Sequence, residues 1–421
     1  MKSYPDSVRF LYSLGNEMKT VKFGLDAIAA VLAELDHPER ACSYVHVAGT
    51  NGKGSTCAMI ASGLRSGGIR TGLYTSPHLV EPTERIQIDG VAVSKEQFSD
   101  AFDLVHAASE RLIARGKLEH HPTYFETVTA MAFVLFREAR VETTVLEVGL
   151  GGRLDATNVI HPKLAVITPV DFDHEKFLGN TIAAIAWEKA GILKPGVELI
   201  LGRQRAEAES VIRARAVELG CAVWRMVDHP PTSVSIHARG SEIEWEGIPL
   251  TCPLPGVHQI DNAITAALAL RRLGMPDDAI SRGIAAASWP GRLEYISSQP
   301  DIILDGAHNP SGARALASYI EQFFAGRRVW LIYGTMRDKS IGEILETLFP
   351  LAGELILTRP NSPRALDPSS LLRVSHHPRA RVCENLRAAL DLVRAEAKPE
   401  DAVFISGSLF LVGEARALLL K

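Results

Sequence analysis

Val45-His-Val-Ala-Gly-Thr-Asn-Gly-Lys-Gly-Ser-Thr56 is the stretch whose reading decides the fold. Tyr44 to Val47 reads as the end of a buried strand. Gly49, Gly52 and Gly54 follow with Lys53 between them, and from Ser55 the pattern turns helical, with Cys57, Ile60, Ala61 and Leu64 on one face. Strand, glycine-rich turn and helix are the build of a phosphate cradle: glycines let backbone N–H groups converge on an anion, the helix N-terminus adds positive potential, and a lysine adds a full charge. The generic Walker A pattern wants Gly six residues before the Lys and Ser or Thr after it. Those places hold Val47 and Gly54, so a phosphate cradle and a plain tight turn both remain open from spacing alone.

Outward from that stretch, strands alternate with helices. Expected helices cover 7–14, 23–35, 95–115, one that the segment 120–126 leads into and that ends near 139, 182–190, one ending near 220, and 262–273; expected strands cover 69–74, 143–148, 164–168 and 197–201. Residues 221–250 alternate apolar and polar between turns and read as antiparallel strands. Trp289-Pro-Gly-Arg292 reads as a joint. Beyond it come strands at 302–304, 329–333, 354–357 and 402–405, with helices at 310–324, 339–348, 385–396 and 410–419. The expectation is an α/β chain: a P-loop-type, mostly parallel sheet flanked by helices over 1–290, and a smaller Rossmann-like α/β domain over 291–421.

Composition narrows the function classes. A chain of 421 residues with 46% hydrophobic and 22% charged side chains supports two sizeable cores. A net charge of −4 without a long basic run argues against a nucleic-acid partner. The first residues lack an apolar signal core, and no run approaches the roughly 18 apolar residues of a membrane span, so a cytoplasmic protein with no membrane partner is expected. Five scattered cysteines fit reduced thiols. No association surface is legible, so the expected state is a monomer.

In parallel sheets ligands bind outside the carboxyl ends of the strands. Polar clusters at 49–55, 75–78, 147–158 and 171–174 all fall at such ends. The cradle has no Ser or Thr directly after its lysine to hold Mg²⁺, so a triphosphate's metal needs oxygen ligands from neighbouring strands. Ser76, Glu147 and Asp173 or His174 are the candidates. Each also has a plainer reading: a turn serine before Pro77, a structural ion pair for Glu147, a hydrogen-bonded turn histidine. Lys189 on the next helix reads most simply as a solvated lysine.

Five segments occur in order: Gly49-Thr-Asn-Gly-Lys-Gly-Ser55, Thr75-Ser-Pro-His78, Leu146-Glu-Val-Gly-Leu-Gly-Gly-Arg-Leu-Asp-Ala-Thr-Asn158, Glu188-Lys-Ala-Gly191 and Asp305-Gly-Ala-His-Asn-Pro310. Together they resemble the folylpolyglutamate synthase/dihydrofolate synthase family of the Mur-ligase superfamily, over roughly residues 40–410. The Gly after Lys53 is that family's own form of the loop. The resemblance implies an ATP-dependent ligase that joins the amine of L-glutamate to a carboxylate through an acyl phosphate. By the same analogy Gly49, Thr50, Asn51, Gly52, Lys53, Gly54 and Ser55 hold the nucleotide phosphates, with Asn262, Arg292, Asp305 and His308 as further ATP contacts. Ser76 and Glu147 would bind one Mg²⁺, and Glu147 with His174 a second. Lys189 falls where the family carries a carbamylated lysine that ligates the second ion. Lys53, Glu147, His174 and Lys189 are thus the expected catalytic set.

The resemblance further implies a folate or dihydropteroate site. Arg85, Thr123, Phe125, Arg153 and Asp155 are its candidates, Phe125 for stacking on the pterin and Arg153 for pairing with a carboxylate. Ser406 and Ser408 resemble the wall of a glutamate pocket, and contacts supplied by the second domain imply a domain closure that gates turnover. Phe125 equally reads as core packing, and His308-Asn309-Pro310 as an ordinary helix start. The Gly-Gly-Arg-Leu-Asp-Ala-Thr-Asn form resembles the bacterial bifunctional enzyme. Alternatives are chain extension of folates alone, a Mur-type amino-acid ligase, and a non-catalytic nucleotide-binding module.

Overall fold

A computed structural model describes residues 3–15, 24–337 and 342–420. Two expectations fall partly outside these: the start at 23 of the second helix, and residues 339–341 of the helix expected at 339–348. The chain divides into two compact units. The first comprises Met1–Ser233, Glu244–Leu250 and Asp261–Ala287, the second Val234–Ile243, Thr251–Ile260 and Ser288–Lys421.

The first unit is built on an eight-stranded sheet. Its strands are β1 (Ser43–Ala48), β2 (Thr71–Tyr74), β3 (Ile86–Ile88), β4 (Val91–Ala92), β5 (Thr143–Glu147), β6 (Leu164–Ile167), β7 (Glu198–Leu201) and β8 (Val223–Arg225), in the order β4-β3-β2-β5-β1-β6-β7-β8. The pairings β2–β3 and β3–β4 at one edge are antiparallel; every other pairing is parallel. β1 lies between β5 and β6, with Val47 paired to Glu147 and Ala48 to Ile167. Buried on both faces, it reads as an apolar run without alternation.

Helices α1 (Tyr4–Ser13), α2 (Asp26–Glu34), α3 (Lys53–Ser66), α4 (Lys95–Ala114), α5 (Tyr124–Glu138), α6 (Glu175–Leu178), α7 (Ile182–Ala190) and α8 (Ala206–Glu218) precede a three-stranded antiparallel meander. The meander is β9 (Ser233–His237), β10 (Gly240–Trp245) and β11 (Ile248–Cys252); α9 (His258–Arg272) and α10 (Asp277–Ala285) follow. One core of the first unit gathers Leu11, Val31, Phe98, Phe102, Phe133 and Leu146; another gathers Val170, Ile185, Ile192, Leu199 and Ile212. The backbones of α3 and α10 touch: a Cβ on Gly283 would stand 2.3 Å from the Cα of Gly63.

The expectation of antiparallel strands throughout 221–250 is corrected at its start, because β8 pairs in parallel with β7. A three-residue edge strand has one neighbour and only partial cover, so its polar alternation imitates an antiparallel strand. The cradle helix also starts earlier than expected, at Lys53 rather than Ser55.

In the second unit β12 (Glu294–Ser297), β13 (Asp301–Leu304), β14 (Val329–Tyr333), β15 (Glu354–Leu357), β16 (Ala380–Val382) and β17 (Ala402–Ser406) form a sheet ordered β12-β13-β17-β14-β15-β16. All pairings except β12–β13 are parallel. Helices α11 (Pro310–Phe323), α12 (Gly342–Leu348), α13 (Pro368–Ser375), α14 (Leu386–Glu396) and α15 (Leu409–Leu419) accompany it. β12, α13 and β16 were not expected from the sequence: two are short edge strands, and the helix begins at a proline after a long turn. No helix among the described residues is long and apolar enough to cross a membrane.

Candidate functional site

The central strand β1 delivers the cradle. Gly49 leaves it with φ +149°, and a Cβ there would meet Thr168 Oγ1 at 1.9 Å; Gly52, at φ +82°, would drive a Cβ into Asn262 Oδ1 at 2.4 Å. Both positions therefore require glycine for conformation and for space. The loop is clamped to the exit of β6. Thr50 N donates to Pro169 O at 2.9 Å, Thr50 Oγ1 donates to Asp171 O at 3.0 Å, and Asp171 N returns a bond to Thr50 Oγ1 at 3.1 Å. Lys53 is the first residue of α3, and its Nζ bends back to Thr50 O at 3.1 Å. Gly52 precedes α3 without a side-chain cap, so the first amides of a 14-residue helix, through Gly54 and Ser55, present their positive end beside Lys53. Asn51 completes the turn, with its own N–H shared with Pro169 O at 3.3 Å.

Glu147 ends β5 beside Val47, 4% exposed, and its Oε2 accepts from Ser76 N at 3.2 Å. Cys57 on α3 is sensitive to both charges: burial pushes its thiol up, Glu147 reinforces this, and Lys53 opposes it. Lys189, in the last turn of α7, is buried and donates to Gly49 O at 2.7 Å. Burial lowers its pKa to about 7, Lys53 adds repulsion, and Asp173 and Asp155 pull the other way. His174 sits at φ 54° before α6; its N–H donates to Asp173 Oδ1 at 2.9 Å and its Nε2 lies 3.8 Å from Asp173 Oδ2.

The donor set at these strand ends, two carboxylates and a hydroxyl beside the cradle, is oxygen-rich and suits Mg²⁺, which keeps several waters and takes few protein ligands. Glu147 and His174 are not drawn into a ready three-ligand cluster; among the described residues the tight grouping of that kind is His106, Glu110 and His121.

Several expected substrate contacts carry structural duties. Thr123 caps α5 in a reciprocal pair with Glu126: Thr123 N and Oγ1 each donate to Glu126 Oε2 at 2.8 Å, and Glu126 N donates back at 3.3 Å. Arg153 reaches Glu188 Oε1 through Nε at 3.2 Å and Nη2 at 3.0 Å. Asp155 is buried, accepting from Leu150 N at 2.8 Å, Thr157 N at 3.0 Å and Thr157 Oγ1 at 2.5 Å, and burial raises its pKa. Arg85 is buried, donates from Nε to His78 Nδ1 at 2.9 Å and stands 5.2 Å over the Tyr124 ring. Burial, then Arg85, lowers the His78 pKa to about 3. The Phe125 ring lies against Gly149, where a Cβ would come within 2.5 Å of it, and 6.1 Å from Tyr74. It is half-buried, so stacking and packing meet in one residue.

In the second unit Asp305 follows β13 and is held by one amide of its own turn and one from the residue just before β12. Leu293 N donates to Oδ2 at 3.0 Å and Ala307 N to Oδ1 at 2.9 Å; burial raises its pKa while Arg292 lowers it. Arg292 lies against Gly306, where a Cβ would meet its guanidinium at 2.2 Å. His308 Nδ1 pairs with Gly306 O at 2.7 Å. Asn309 caps α11 through Gly312 N at 2.8 Å, and Ser408 caps α15 through Leu411 N at 3.1 Å. Ser406 Oγ lies 3.5 Å from Ala307 O.

Sequence reasoning missed Gln204, which donates to Thr168 O at 3.0 Å and accepts from Val170 N at 3.0 Å, bracing the corner that holds Thr50. A lone glutamine 36 residues from its partner leaves no local signal. Glu188 was visible only as part of its segment, without its pairing to Arg153.

Two sequence families match: one described as "Mur ligase middle domain" over residues 47–270 and one described as "Mur ligase, glutamate ligase domain" over 291–409. A Bacillus subtilis dihydrofolate synthase/folylpolyglutamate synthase is 34% identical, with 95% of each chain covered. A Haloferax volcanii protein described as a probable bifunctional folylpolyglutamate synthase/dihydropteroate synthase is 36% identical, and this chain spans about half its length. Among solved structures, Mycobacterium tuberculosis folylpolyglutamate synthase complexed with ADP and AMPPCP superposes with a TM-score of 0.90, at 34% identity and 99% cover of each chain. An Escherichia coli protein described as FolC in complex with DHPP and ADP gives a TM-score of 0.87 at 33% identity, covering 99% of this chain and 97% of that one. With its glycine-rich cradle set between Glu147 and the exit of β6, the chain belongs to the folylpolyglutamate synthase/dihydrofolate synthase family of ATP-dependent Mur ligases.

Proposed function

We propose that the chain joins L-glutamate to dihydropteroate and to folates at the expense of ATP, in the cytoplasm and as a monomer. The observation that carries this reading is the uncapped start of α3 with Lys53 folded over it, flanked by Glu147 and Lys189. The first unit supplies the nucleotide and folate sites and the second the glutamate side. Lys53 and the amides of 49–55 hold the β- and γ-phosphates, with Asn262 as a further nucleotide contact. The acceptor's carboxylate oxygen attacks the γ-phosphorus; the bond to the β,γ-bridging oxygen breaks, giving an acyl phosphate and ADP. The glutamate amine then adds to the acyl carbon, loses a proton, and phosphate leaves.

Ser76, Glu147 and His174 would hold Mg²⁺, two ions in all, which when bound supply charge neutralisation on the phosphate oxygens. With a pKa of about 7, Lys189 holds a substantial neutral fraction at neutral pH. A neutral amine adds to CO₂ and releases a proton, so Lys189 is set to become a carbamate, an oxygen ligand in place of a cation. Phe125 lies where a pterin ring could stack, with Arg85, Thr123, Arg153 and Asp155 shaping that side, and Ser406 and Ser408 line the glutamate end.

Phosphate release with ATP, Mg²⁺ and glutamate, measured against dihydropteroate, dihydrofolate and tetrahydrofolate in turn, tests the reading. Turnover with dihydropteroate and with a folate supports both activities; none with dihydropteroate restricts the chain to extension of folates. An unmodified Lys189 amine by mass spectrometry, with full CO₂-independent activity, would remove the carbamate.

A further inference from the structure

Helix α4 and the loop before α5 bring together two histidines that no step of the ligation uses. His106 and Glu110 stand one turn apart on one face of α4, and His121 comes from the loop just before α5. His121 Nε2 is 2.8 Å from Glu110 Oε1, and His106 Nε2 is 3.9 Å from the same oxygen. The donor atoms of the three side chains all lie within 4.8 Å of one another. The two imidazoles are stacked, centroids 5.1 Å apart and planes 12° from parallel. Phe10 of α1 packs edge-on against both, at 4.7 and 5.3 Å. One side of the group is thus walled by aromatic rings, while Glu110, 57% exposed, leaves the other side open to water.

The plain reading is a surface ion pair between His121 and Glu110, which contributes little. It leaves unexplained why a second imidazole converges on the same carboxylate. Metal–ligand bonds of about 2.0–2.2 Å in a tetrahedral site place the donors roughly 3.4 Å apart. The two separations straddle that value, so Glu110 needs to shift by about half an ångström, and the two rings, 12° from parallel, must rotate until each nitrogen lone pair, which lies in its ring plane, meets the ion. Two imidazoles and a carboxylate suit zinc-class ions, with one position left for water, whereas Mg²⁺ takes oxygen.

We propose that His106, Glu110 and His121 bind a divalent transition-metal ion of the zinc class, tying the loop before α5 to α4. That loop runs directly into the Thr123 cap and Phe125, so the ion would brace the entry to α5 from outside the phosphate cradle.

The test titrates Zn²⁺ into the full metal-stripped chain by calorimetry, with saturating Mg²⁺ and ADP present to fill the cradle. The expected result is one equivalent bound and a rise in Tm. In His106→Asn, His121→Asn and the surface variant Glu110→Gln, binding weakens at least about tenfold while the metal-free Tm and Mg²⁺-dependent ligation stay as in the parent. His120→Asn, next in the chain to His121, should bind as the parent does. No zinc bound by the parent, equal binding in the three variants, or equal loss in His120→Asn would each overturn the proposal.

Discussion

After β1 the chain turns through Gly49–Gly52 into α3; after β13 it turns through Asp305–Asn309 into α11. Both corners leave the carboxyl end of a parallel strand, yet they treat their polar groups in opposite ways. At the second corner Asn309 caps α11 and Asp305 is satisfied by two amides of its own surroundings. At the first, a glycine stands where a cap would be, and the ammonium of Lys53 is tethered to the carbonyl of Thr50, which holds it without cancelling its charge. A corner that keeps positive charge beside an uncapped helix start is prepared for an anion.

The largest effect should come from the first corner. Lys53→Ala should lower turnover about 10²–10³-fold in steady-state phosphate release while circular dichroism and Tm stay near the parent's. Near-normal turnover would erase the distinction between the corners. Asp305→Ala should act on stability as well, since it strands two buried N–H donors; denaturant titration should show a loss of about 2–4 kcal/mol in the second unit's transition.

Acid should find the first unit. His46 is buried on β1 with Nε2 paired to Thr157 Oγ1 at 2.8 Å, and burial holds its pKa at about 3, as it does for His78. Between the ordinary histidine range and that value the unfolded chain binds protons that the folded chain refuses. Stability is therefore full above about pH 6.5 and falls as pH drops toward 3, each histidine adding about 1.4 kcal/mol per pH unit. His46→Asn should make the pH 4–6 slope of the unfolding free energy shallower by that amount, and an unchanged slope would count against a neutral His46. The smallest effect belongs to a capped helix: Ser408→Ala should cost about 1 kcal/mol by thermal unfolding.

Much of this was legible in the sequence for a physical reason. Strands of a parallel sheet are buried on both faces, so β1, β5, β14 and β17 stand out as apolar runs, and the polar clusters after them mark the edge where ligands bind. Pairings between distant residues were not legible. Nothing local announces that Arg153 meets Glu188 or that Gln204 braces the Thr50 corner. The capping duty of Thr123 and the loop-folding duty of Asp155 were not legible either, because hydroxyls and carboxylates look alike whether they cap a helix, fold a loop or meet a ligand.

The contact between Gly63 and Gly283 bears on how the cradle keeps its place. At 1.5 Å per residue, Gly63 lies about 15 Å down α3 from Lys53. With no side chain on either partner there, α3 rests backbone to backbone on α10 like a rail on a sleeper, with no soft material between. A methyl group at Gly283 would meet the Gly63 backbone and has nowhere to go except into a shift of the helix, and the far end of α3 carries the glycine-rich loop. The position of that loop is thus set partly by an absence of atoms remote from it.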